Sequence, residues 1–98
     1  MNAELKSRLE AALGKKLAGL ILFGSYARGD YSRGSDLDFL LLLSARATRE
    51  EKNEISQICS SLSLSYDTVI VCIDYLQKEF EKRSSPLVLN VKKEGIRI

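Results

Sequence analysis

Apolar residues along the chain follow two rhythms, and each change of rhythm marks an element. Leu5, Leu9 and Leu13, with Ala12, recur at helical spacing, and Gly14 followed by Lys15 and Lys16 suits a helix end. Leu17 to Phe23 is a short apolar run bounded by Gly24 and predicts a first strand. Leu37 to Leu43 predicts a second. Its stretch from Phe39 to Leu43 does not alternate with polar residues, so this strand is expected in the middle of a sheet, covered on both faces.

Helical rhythm returns after Thr48, which forms a capping-box pattern with Glu51. The stripe Ile55, Ile58, Cys59 and Leu62 predicts the buried face of a second helix. Residues 66–73 are β-branched and predict a third strand, with Asp67 at its start. Asp74 and Gln77 offer another capping box, leading a short helix through Leu76 and Phe80. Ser85-Pro86 reads as an N-cap followed by proline at the first helical position, and this last helix is expected to stop at Gly95. Ile96 to Ile98 can add a short strand. The order α-β-β-α-β-α-α predicts one α/β (α+β) domain over residues 1–98, a mixed sheet with helices mainly on one face. No repeat, linker or low-complexity segment divides it.

Composition narrows the chemistry. The chain has 98 residues, 45% hydrophobic and 29% charged, which suits a single small core. Its net charge of +2 does not suggest a dedicated nucleic-acid binder. There is no histidine, so imidazole bases and imidazole metal ligands are excluded. Cys59 and Cys72 sit in apolar patterns without metal-like spacing and read as buried free thiols, with a disulfide or a reactive thiol the alternative. No long apolar span or leader-like segment is present, and the expected compartment is the cytoplasm.

The candidate chemistry lies between the first two strands. Gly24 and Ser25 end the first apolar run, Arg28-Gly29 follows, and Ser35 precedes Asp36 and Asp38 at the start of the second. Small residues let a backbone approach a phosphate closely and present its N–H groups. Carboxylates at alternate strand positions share a face and can hold a hard cation such as Mg²⁺. A βαβ crossover would run the second and third strands parallel, so that Asp67 faces the first pair. A first strand antiparallel to the second would bring Gly24 and Ser25 to the same edge.

This glycine-serine pair, ten intervening residues and Asp-x-Asp resembles the DNA polymerase β-like nucleotidyltransferase superfamily. Within it the chain is most similar to the minimal nucleotidyltransferases (MNT), antitoxin partners of HEPN toxins. The resemblance covers nearly the whole chain and implies a palm-type catalytic core. It also implies a transferase that uses ATP and two Mg²⁺ ions held by Asp36, Asp38 and Asp67. Gly24, Ser25, Arg28 and Ser35 would bind the nucleotide. The implied acceptor is a tyrosine of a HEPN-type toxin, reached in a homo- or hetero-oligomer, with no membrane and no nucleic acid required.

Two other functions fit the same residues. One is a nucleotidyltransferase for a small, aminoglycoside-type acceptor; the other is a non-catalytic antitoxin that works by contact. The intact set Ser25, Asp36, Asp38 and Asp67 favours activity. Plainer roles stand beside the candidates: Asp36 and Asp38 can be turn and strand-edge residues, Asp67 a solvated strand-start residue and Arg28 a solvated charge. Asp30 reads as a loop cap and Arg33 as a solvated charge or a phosphate contact. Asp74 reads as a helix cap, Tyr26 and Tyr31 as loop packing or a nucleotide surface, and Lys78, Lys82 and Arg83 as a solvated helix face. Outside the site loop, a partner surface is expected on the exposed faces of the C-terminal helices around Tyr75, Phe80 and Leu87, each of which could equally be core.

Overall fold

The computed structural model describes residues 1–29, 34, 36–82 and 85–98. Helix α1 (Asn2–Leu13) leads through a 3-10 turn (Gly14–Lys16) to β1 (Leu17–Phe23). A one-turn helix, α2 (Ser25–Arg28), precedes β2 (Leu37–Leu43), which is followed by α3 (Arg49–Ser65) and β3 (Ile70–Leu76). Helices α4 (Gln77–Lys82) and α5 (Pro86–Glu94) and the short β4 (Ile96–Arg97) complete the chain. The strands form one mixed sheet in the order β3-β2-β1-β4. Strand β1 is antiparallel to both β2 and β4, while β2 and β3 are parallel.

The unbroken apolar run of β2 is explained by cover on both faces. Leu37, Phe39, Leu41 and Leu43 join Leu5, Leu9 and Leu13 of α1 and Ile55, Ile58 and Leu62 of α3 in one core. Leu40 and Leu42 point the other way and meet Ile21, Phe80 of α4, and Val88 and Val91 of α5. The two long helices thus share one face, and the two short ones cover part of the other. Among the described residues no polar or charged side chain is buried.

Local signals position the helices. The Thr48 backbone N–H donates to Glu51 Oε1 at 2.8 Å, and the Glu51 N–H donates back to Thr48 Oγ1 at 3.1 Å. Lys16 Nζ reaches the same Oε1 at 2.6 Å, and these contacts hold the Glu51 carboxyl below the usual range. The α5 cap is formed as expected, with the Val88 N–H donating to Ser85 Oγ. Helix α1 ends at Gly14, in a left-handed conformation (φ 58°).

Three expectations are corrected. The third strand spans Ile70–Leu76 rather than residues 66–73, because α3 continues to Ser65 beyond its last buried leucine. The chain leaves that helix through N–H bonds from Tyr66 to Leu62 O (3.0 Å) and from Thr68 to Ser63 O (3.1 Å). Asp74 is not a helix cap: it lies within β3, opposite Leu41, and α4 begins at Gln77. Phe80 is core rather than surface, and Tyr75 and Leu87 are half-buried against its cluster, so Phe80 drops out of the expected partner surface. Among the described residues, the exposed large apolar side chains are Leu64, Tyr66, Val69, Ile73, Leu89 and Ile96.

Cys59 and Cys72 are free thiols between α3 and β3, with sulfurs 2.8 Å apart. No described helix is long and apolar enough to cross a membrane. Thr48→Ala removes one half of a complete capping box and should cost about 1 kcal/mol of stability. A urea titration monitored by circular dichroism measures this as a lower midpoint with an unchanged slope.

Candidate active site

The end of β1 and the start of β2 are brought side by side by their antiparallel register, in which Phe23 is opposite Asp38. Gly24 follows with φ 81°, in the left-handed region. A β-carbon built there would lie 2.5 Å from Asp38 Oδ2. Glycine is therefore required twice over, by its backbone conformation and by the carboxylate pressed against it. The chain then winds into α2, closed by N–H bonds from Arg28 to Gly24 O (3.1 Å) and from Gly29 to Ser25 O (3.0 Å). Ser25 thus opens a helical turn, where leading backbone N–H groups have no intrahelical acceptor.

Asp36 is exposed just before β2, and Asp38 is half-buried within it. Strand alternation puts both on the face that carries Leu40 and Leu42, away from α1 and α3. Partial burial, and secondarily the neighbouring Asp36, push the Asp38 carboxyl above its ordinary pKa. An acidic pair of which Asp38 is the carboxyl disfavoured as a charge, beside a turn with no room for a side chain, suits a hard divalent cation. Val71 of β3 is opposite Asp38, so Phe23, Asp38 and Val71 form one row across the sheet.

Residues 3–98 match the family model described as nucleotidyltransferase domain. The chain belongs to this family. A relative from Methanocaldococcus jannaschii, named "Putative protein adenylyltransferase MJ0141", is 47% identical over 72 residues, covering 74% of this chain and 73% of that protein. A crystal structure of a toxin-antitoxin with AMP-PNP matches 99% of this chain and 72% of the other, at 23% identity and a TM-score of 0.68. A structure of a tri-AMPylated Shewanella oneidensis HEPN toxin in complex with MNT antitoxin matches with a TM-score of 0.58 at 19% identity. It covers 99% of this chain and 71% of that one.

In this nucleotidyltransferase domain, the predicted site residues are not all gathered alike. Gly24, Ser25, Asp36 and Asp38 meet at one end of the sheet. Asp67 lies three residues before β3, in the turn that ends α3, and not at the strand start. Its φ is 49°, the sole positive value at a described non-glycine residue. The described residues contain no group of three acidic or cysteine side chains set to hold a metal ion. Arg28 Nη1 is engaged with Glu94 Oε2 at 3.2 Å, a link across 66 positions that no local sequence signal announces. The α2 turn was likewise missed, although Gly29 (φ 81°) directly after Arg28 is a helix-ending signal.

Tyr26 packs partly against the α1/α3 core, and Lys78 and Lys82 are exposed. Asp74 occupies the opposite sheet face from Asp38, given the register of β2 with β3. Ser35, Asp30, Tyr31, Arg33 and Arg83 lie outside the described residues.

A raised Asp38 pKa means that the folded state keeps a proton the unfolded chain has lost, so stability falls as pH rises through the interval just above the ordinary aspartate value. Asp38→Asn removes this penalty. Its melting temperature without metal at neutral pH should equal or exceed that of the wild type, and the gap between the two should close on acidification through that interval. Added Mg²⁺ should raise the wild-type melting temperature and leave Asp38→Asn nearly unmoved.

Proposed function

We propose that this domain transfers AMP from ATP to a tyrosine hydroxyl of a partner HEPN-type toxin, in the cytoplasm. The observation that carries the reading is the contact of Gly24 with the Asp38 carboxylate, which sets a serine-led turn beside an acidic pair. The M. jannaschii relative named for protein adenylylation and the complex containing a tri-AMPylated HEPN toxin support the acceptor class.

The backbone at Gly24 and the Ser25 hydroxyl would hold the β- and γ-phosphates, with Arg28 offsetting their charge. Asp36 and Asp38 would hold the Mg²⁺, whose chemistry when bound is charge neutralisation and a more acidic acceptor hydroxyl; Asp67, which is not set with them as a three-carboxylate group, would act as the proton acceptor. The acceptor oxygen forms a bond to the α-phosphorus. The bond from that phosphorus to the α–β bridging oxygen breaks, and pyrophosphate leaves with the electron pair. The hydroxyl proton passes to the Asp67 carboxylate.

The test is incubation with ATP, Mg²⁺ and a HEPN-type toxin encoded beside this gene, followed by intact mass measurement. The toxin should gain one or more AMP masses with wild type, and Asp36→Asn should reduce transfer at least a hundredfold without loss of fold. A modified small hydroxylated compound alongside an unmodified toxin would replace the protein acceptor with an antibiotic-type one. Ser25→Ala should weaken binding of a nonhydrolysable ATP analogue by about 1.5 kcal/mol, roughly tenfold.

Asp67 permits a separate test. Glycine is preferred at a left-handed helix end, so Asp67→Gly should hold or raise stability by up to about 1 kcal/mol. The same change removes a carboxylate given a role in transfer, and should lower the rate at least tenfold. Unchanged transfer in the stable variant would reduce Asp67 to a helix cap.

A further inference from the structure

Strand β3 is the outer strand beside β2, so one of its edges has no strand partner among the described residues. The Leu37 N–H donates to Val69 O at 2.8 Å, which directs the backbone groups of alternate residues from Val69 onward toward β2. Those of Ile70, Cys72 and Asp74 therefore point outward. The Ile70 N–H is already taken by Ser63 Oγ at 3.0 Å, leaving Cys72 and Asp74 as the open stretch. Beside this edge, on the α3 face, runs a groove of about 710 Å³ lined by Lys52, Ser56, Ser60, Leu64, Cys72 and Asp74 among others. On the opposite face, where Asp38 lies, Val69 and Ile73 expose apolar side chains to either side of Val71.

A strand added to this edge would send alternate side chains into the groove and across the site face. A guest residue opposite Val71 would extend the row Phe23, Asp38, Val71 by one place. It would stand two strand spacings from β2, about 9.6 Å. Serine and threonine carry their oxygen one bond beyond the β-carbon and fall short. Tyrosine carries its oxygen beyond a ring and can lie over the small Val71 side chain toward Asp38. Guest residues two places to either side would cover Val69 and Ile73. The guest residue opposite Asp74, three places away on the groove face, meets a carboxylate and should be basic. Two copies of this chain paired through the same edge would instead bring two Asp74 carboxylates onto one face, which is unfavourable.

Building on the proposed function, we propose that the open edge of β3 receives an extended acceptor segment by strand addition. A tyrosine opposite Val71 is laid toward Asp38, and a basic residue three positions away meets Asp74. The edge thereby selects tyrosine over serine and threonine by reach alone. In the transfer itself the tyrosine oxygen bonds to the α-phosphorus of ATP, pyrophosphate leaves, and the phenolic proton goes to Asp67 as above.

The probe is the peptide Lys-Val-Thr-Tyr-Thr-Val-Lys, which satisfies the pattern in either strand direction, with a Ser-for-Tyr version as control. With the full chain, ATP and Mg²⁺, the tyrosine peptide should gain one AMP mass and shift the amide resonances of Cys72 and Asp74; the serine peptide should shift them without modification. Asp74→Pro removes an outward N–H and spares the bonds to β2. It should lower peptide modification at least tenfold and keep ATP-analogue affinity within twofold. Val71→Trp blocks the row and leaves the edge backbone intact, so binding shifts should persist while transfer is lost.

Equal modification of the serine peptide overturns the proposal, as does unchanged transfer in both variants. Absent amide shifts in a chain that binds the ATP analogue overturn it too. A sedimenting dimer that Asp74→Pro dissociates would put a second copy on the edge and overturn it as well. Failure of the proposed function looks different: the analogue with Mg²⁺ would not bind, or no protein acceptor would be modified by the wild type.

Discussion

The approach of Gly24 to Asp38 is the constraint on which the rest of the site depends. A backbone with a β-carbon cannot come this close, and a strand pair in another register would not put the turn beside the carboxylate. The approach follows from the antiparallel pairing of β1 with β2, which is held by apolar side chains on both faces of β2. Core packing therefore fixes the relative placement of the phosphate-type turn and the acidic pair. A one-residue slip would turn Asp36 and Asp38 into the α1/α3 core, where their charge could not be accommodated, so register and chemistry are specified together.

The parts of the fold legible in the sequence are those with strong local signals. The Thr48–Glu51 capping box, the Ser85-Pro86 start and the leucine stripe of α1 all have short-range causes, and each element is where those causes put it. The central position of β2 was legible from its lack of alternation. The end of α3 was not, because residues 66–69 have the β-branched and aromatic character of a strand yet are used to leave the helix. Apolar content cannot distinguish the two; the hydrogen bonds from Tyr66 and Thr68 do. Asp74 failed for a related reason. Its spacing to Gln77 imitates a capping box, but the parallel register of β3 with β2 carries the strand through it. The convergence of Gly24, Ser25, Asp36 and Asp38 was legible from topology, whereas a left-handed Asp67 was not.

That conformation makes Asp67 informative. Aspartate tolerates φ near 50° better than most residues, but glycine tolerates it at no steric cost. A helix exit that served stability alone would favour glycine there. A carboxylate there, in a conformation that glycine would take more easily, is what singles Asp67 out for substitution.

Small size leaves this domain with an exposed sheet edge, which proteins usually blunt with charge, proline or a covering element. Here blunting is partial. Ser63 occupies the first outward N–H, Asp74 places a carboxylate on the edge, and the stretch between is open. The other end of the sheet is treated differently. There β4 covers β1, the Lys6 ammonium donates to Ile98 O at 3.0 Å, and Gly95 lies too close to Ile21 for any side chain. The Arg28–Glu94 pair ties that closed end to the Gly24–Ser25 turn. It is exposed, worth at most about 1 kcal/mol, so its effect is on position rather than stability. Beside β1 the sheet is thus extended by β4 and tied to the Gly24–Ser25 turn through Glu94 of α5, whereas beside β2 it ends at β3, whose outer edge has no strand partner among the described residues.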